Sequence, residues 1–147
     1  EPAGFEAFVG YKTSIDQYRK NSVAGASPLQ LVVMLYDGAL RFMEAGRHAM
    51  LSRNVYAQND NITKAQKVIS ELLSTLDLEK GGKVGENLFS LYTYVYNRLV
   101  DANLEDKPEL VAECIVIMSD LRESWVEIER KTRQSAIVNP GGTNHAA

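Results

Sequence analysis

The sequence predicts an all-α protein: an antiparallel up-down-up-down four-helix bundle with a short N-terminal helix or cap segment before it. Three observations carry this reading. Apolar residues recur at three-four spacing through four long segments. Alternation at period two never persists, and proline occurs only at positions 2, 28, 108 and 140, so no long segment is broken inside. The connections between segments are short, which makes successive helices antiparallel neighbours.

The first segment opens at Ser27-Pro28. A serine hydroxyl can accept from an orphan N–H of the first turn, and proline suits the first helical position because its missing N–H was unpaired anyway. This helix is expected to run to about Leu51 with a seam of Leu31, Leu35, Gly38, Phe42, Ala45 and Ala49. The second is expected over about 59–76, with Ile62, Ala65, Ile69, Leu72 and Leu76 on its seam. Residues 77–82 join it to the third, and Gly81-Gly82 can adopt positive φ at little cost. The third covers about 83–102, with Val84, Leu88, Leu91, Val95, Leu99 and Ala102. The fourth starts at Pro108 and reaches about residue 133, with Val111, Cys114, Met118, Leu121, Trp125 and Ile128 on its seam. The domain boundaries that follow are 1–25 for the cap segment, 26–134 for the bundle and 135–147 for a flexible tail.

The chain of 147 residues is 45% hydrophobic and 24% charged, which fits one globular domain with a sizeable core. A net charge of −3 and no basic run longer than two residues argue against nucleic-acid binding. No stretch reaches the ~18 uncharged apolar residues of a membrane span, and no signal-peptide pattern opens the sequence. The single cysteine, Cys114, fits a reducing, cytoplasmic setting.

Helix bundles can house metals, but this one lacks the ligands. A di-iron site needs inward Glu residues and two Glu-x-x-His motifs. The only histidines are His48 and His145, and residue 45 is alanine. Glu44 and His48 share the polar face and read as a solvated pair. Met34, Met43, Met50 and Met118 read as gap-fillers, and Cys114 as a small buried hydrophobe. Lys80-Gly81-Gly82-Lys83 has neither the preceding strand nor the spacing of a phosphate loop. No catalytic, cofactor or metal site is expected.

What stands out instead is surplus apolar surface. An ordinary bundle helix needs about three apolar positions in seven. Beyond its seam, the first helix carries Val32, Tyr36, Leu40 and Met43. The third adds Phe89, Tyr92 and Tyr96, and the fourth Ile115. These eight are the candidate contacts for a partner, since large apolar patches mark interaction sites and tyrosine suits them. An amphipathic helix is the expected occupant.

Residues 21–40, N-S-V-A-G-A-S-P-L-Q-L-V-V-M-L-Y-D-G-A-L, resemble the signature of the flagellin-specific flagellar export chaperones. I-T-K-A-Q-K-V-I-S-E-L at 62–72, the Gly-Gly turn with its tyrosine-rich helix at 76–99, and L-R-E-S-W at 121–125 are similar to the same family in the same order. The resemblance implies a cytosolic, non-enzymatic bundle that binds the disordered C-terminal segment of flagellin in an apolar groove. Binding would block premature polymerisation and keep the cargo competent for type III export. The flagellar export gate and a regulatory co-chaperone are the further partners it implies. In that family an I-x-x-Y element lies over the groove that cargo fills, and Ile15-Asp16-Gln17-Tyr18 matches it, so Ile15 and Tyr18 take the role of groove cap by resemblance. The residues alone leave open a different reading, a scaffold or signalling bundle that binds another amphipathic helix.

Overall fold

A computed structural model describes residues 25–138. Four helices follow one another: α1 (Pro28–Leu51), α2 (Val55–Ser74), α3 (Gly82–Glu105) and α4 (Pro108–Val138). They form a ring in which α1 packs against α2 and α4, and α3 packs against the same two, with α1 the more closely engaged. This is the four-helix bundle the sequence predicts. Ile15 and Tyr18, and with them most of the 1–25 cap segment, lie outside the described residues, as does the tail beyond residue 138.

α1 begins where the sequence places it. Ser27 Oγ accepts from the Gln30 N–H (3.2 Å), and Gln30 Oε1 accepts from the Ser27 N–H (2.8 Å), a complete capping box with Pro28 at the first helical position. α2 starts four residues earlier than periodicity suggests, because Asn54 caps it by accepting from the Ala57 N–H at 3.1 Å. α3 ends at Asp106, which adopts the left-handed conformation (φ 56°). α4 runs to Val138, beyond the expected end near 133 and into the stretch assigned to the tail. Residues 131–137 are exposed on it.

The core joins all four helices. Leu35, Ala39 and Met43 of α1 meet Ile62, Ala65, Ile69 and Leu72 of α2, Val95 and Leu99 of α3, and Val111, Cys114 and Met118 of α4. Ile62, Ala65, Ile69 and Leu72 hold the positions the α2 seam predicts. In α1 the seam is shifted: Met43 and Gly46 are buried, while Phe42 is half-buried and Ala45 exposed. Gly46 explains the shift. A Cβ there would stand 2.6 Å from Ile62 Cδ1, so α1 and α2 approach across this glycine. In α3 the expected Val84 is exposed, and in α4 so is Ile128.

The helix ends are tied by polar contacts. Gln58, buried at the start of α2, donates through Nε2 to Asn103 Oδ1 (3.0 Å) and Asp106 Oδ1 (2.8 Å) at the end of α3. Asn103 Nδ2 in turn donates to Asn59 Oδ1 at 3.0 Å. Arg122 on α4 pairs with Asp37 on α1 at 2.5 Å. Asp77 Oδ1 accepts the N–H groups of Glu79 (3.1 Å) and Lys80 (3.0 Å) and shapes the α2–α3 connection.

Candidate functional site

The eight candidate contacts do not gather in one groove. Val32, Tyr36, Met43 and Tyr92 are interior, none more than 7% exposed. The apolar surplus of α1 is thus largely absorbed by a helix that packs on two sides.

Tyr36 and Tyr92 reach across the ring, from α1 to α3. Their hydroxyls lie 2.5 Å apart, and Trp125 Nε1 on α4 donates to Tyr36 Oη at 3.0 Å. The rings are tilted by 58° with centroids 6.3 Å apart. Burial raises both phenols, Tyr36 well above its usual range. Trp125 is half-buried and packs against the same core.

The other four candidates sit on two opposite seams. Phe89, Tyr96 and Asn103 are spaced by seven and share one face of α3, and Asn103 bonds to α2. Phe89 is exposed and Tyr96 half-buried on this α2–α3 seam. Leu40 lies one turn from Asp37, and Ile115 seven residues before Arg122, so both flank the Asp37–Arg122 pair on the α1–α4 seam. The third seam, α3 against α4, is polar outside. Tyr94 donates to Glu113, and Arg98 Nε reaches both Tyr94 Oη and Glu113 Oε1 at 3.1 Å.

Among the exposed apolar residues that the sequence reading missed, Val116 lies within α4 and most of the others gather at the two ends. Leu51, Val55 and Tyr56 surround the α1–α2 turn, where Met50, Gln58, Asp106 and Pro108 help to line a 440 Å3 cavity. Leu78 and Val84 flank the Gly-Gly turn at the other end. There a 470 Å3 cavity lies between Pro28 and Leu29 of α1 and Thr132 and Ala136 of α4. Position near a helix end was the available signal, since an end residue on the apolar face has no neighbour to cover it.

Among the described residues no group of three or more histidine, cysteine, aspartate or glutamate side chains is placed to hold a metal ion. Glu44 Oε2 lies 3.4 Å from His48 Nε2 and 2.6 Å from Arg47 on the outer face of α1. Cys114 is fully buried, its Sγ 3.8 Å from the Val95 carbonyl, and burial pushes its thiol up to about 12. No helix among the described residues is long and apolar enough to cross a membrane.

The described residues thus form a helical bundle with an interlocked core and apolar side chains left exposed along its seams and ends. Residues 11–132 match the family of the flagellar protein FliS, and the chain belongs to that family. It is similar to the flagellar secretion chaperone FliS of Bacillus subtilis, with 34% identity over 122 residues, covering 81% of this chain and 90% of the relative. It is 35% identical over 113 residues to the flagellar secretion chaperone FliS of Salmonella typhimurium (76% and 84%). The corresponding protein of Vibrio cholerae is 32% identical over 119 residues (78% and 88%). The family is one of chaperones, not enzymes.

Proposed function

We propose that this protein is a cytoplasmic flagellar export chaperone that binds the disordered C-terminal segment of flagellin, prevents its premature polymerisation and keeps it competent for type III export. The observation that supports this reading is apolar surface left uncovered in a member of a chaperone family. Phe89 is 45% exposed and Tyr96 half-buried on the α2–α3 seam. A disordered segment pays for its own ordering when it binds, so useful affinity requires a long wrapped surface rather than one pocket. Seams on opposite sides of the ring suit such wrapping, with Leu40 and Ile115 continuing what Phe89 and Tyr96 begin. Ile15 and Tyr18 act in this reading as a displaceable cap over the cargo surface. The export gate and a regulatory co-chaperone are the further partners.

Titration calorimetry of the full chain with a flagellin C-terminal segment tests the reading. Saturable one-to-one binding with a negative heat-capacity change is expected. A folded bundle that binds an unrelated amphipathic helix equally well, or does not bind the flagellin segment at all, would refute it. Tyr18→Ala removes part of the cap and is expected to tighten binding with the bundle still folded. Unchanged affinity would eliminate the cap.

A further inference from the structure

We propose that the first half of α3, from Gly82 to Ser90, opens locally in the free chaperone and is packed down by the cargo. The inference rests on the flagellin-binding reading above and adds a conformational step to it.

Four independent features of this half-helix point the same way. Its start has no side-chain cap: Gly81 occupies the N-cap position, and the first turn carries no acidic residue to complement the helix dipole. Gly85 stands inside the first turns of the helix, where glycine is less favourable than alanine. Packing is sparse: over Gly82–Ser90 only Gly85 is buried, and Leu88 is the side chain that reaches the core. Finally, Val84 (68% exposed) and Phe89 (45%) turn apolar surface to solvent beside Leu78 (47%) in the preceding turn.

The second half of α3 is the opposite. Tyr92, Val95, Leu99 and Ala102 are each at most 1% exposed, and Asn103 and Asp106 are tied to Gln58. The bonds made by Asp77 hold residues 79–81 and stop there. One helix therefore joins a fixed half to a poorly anchored one, the arrangement that produces local opening below the global unfolding free energy. An apolar cargo laid over Leu78 and Phe89 supplies the burial that the bundle does not, and so favours the closed half-helix.

Hydrogen exchange on the full chain, free and saturated with the flagellin segment, tests this. In the free protein the amides of residues 84–90 are expected to exchange at least a hundred-fold faster than those of 92–102 and of α1. Cargo is expected to slow them selectively. Gly85→Ala offers a second arm. An added Cβ meets nothing closer than 3.5 Å, so the variant should fold and gain helix propensity, slowing exchange of 84–90 about five-fold. Equal protection along α3 in the free protein overturns the inference. So does cargo that binds by calorimetry without protecting residues 84–90. Absence of binding overturns the flagellin reading and, with it, the cargo step, while fast exchange in the free chain would still establish the local opening.

Discussion

Removing one hydroxyl at Tyr36 should cost more than removing its partner at Tyr92, and the two losses should not add. The triad contains three donor hydrogens: Trp125 Nε1–H and the two phenolic hydrogens. Two of them are used, since Trp125 donates to Tyr36 and one phenol donates to the other. The third has no acceptor within the triad. Tyr92→Phe takes away one donor and one bond, so one hydrogen is still left over. Tyr36→Phe takes away the oxygen both bonds depend on and leaves two donors stranded. With about 0.5–1.5 kcal/mol per bond and about 1–3 kcal/mol per newly stranded buried donor, Tyr92→Phe should cost about 1 kcal/mol and Tyr36→Phe about 2–4 kcal/mol. In the double variant only the indole N–H is stranded, so its cost should not exceed that of Tyr36→Phe alone. The cycle should therefore show about 1–2 kcal/mol of coupling. Urea denaturation at a common m-value, followed by far-ultraviolet dichroism, measures all four proteins. Additive losses, or equal losses from the two single variants, would refute the reasoning.

The same phenols predict an alkaline response. Both are raised in the folded state by burial, so above pH ~10 the unfolded chain releases protons that the folded one keeps, and stability falls as pH rises. Each Tyr→Phe variant should show a shallower decline between pH 9.5 and 11 than the parent, and identical slopes would contradict this. Gly46→Ala should destabilise by about 0–2 kcal/mol, because overpacking of about 1–3 kcal/mol against Ile62 is partly offset by about 1 kcal/mol of helix propensity, and Ile62→Val should be less harmful in that background than in the parent. Thermal melts of the four combinations decide it, with an unchanged cost of Ile62→Val counting against a close approach at this point. Phe89→Ala should weaken flagellin-segment binding about ten-fold or more while shifting unfolding by under ~1 kcal/mol, because the ring is 45% exposed. Full affinity in calorimetry would remove the α2–α3 seam from the cargo surface.

Helix number and order, and the starts of α1 and α4, were legible because they depend on local chemistry: Ser27-Pro28 opens α1, and Pro108 opens α4, whereas the Asn54 cap of α2 was not read. The α2 seam was legible because that helix buries one clean stripe. α1 was harder. It packs against two neighbours, so its buried arc is wide, and choosing Phe42 and Ala45 over Met43 and Gly46 required knowing where α2 crosses. The candidate site was less legible still. Tyr36 and Tyr96 are the same residue type on helices of similar pattern. One is interior because an indole and a second phenol meet its hydroxyl, and the other lies on a seam. Partners 56 and 89 residues away in sequence decide this, and no local window contains them.

The buried sulfur of Cys114 has a practical consequence. A thiol with no exposed surface and an ionisation pushed up to about 12 offers almost no thiolate to an alkylating reagent at neutral pH. A cysteine introduced at any surface position would then be the one site a maleimide dye labels in the folded protein, with no need to delete the native residue. Slow capture of Cys114 itself would time how often the α3–α4 contact around Val95 comes apart.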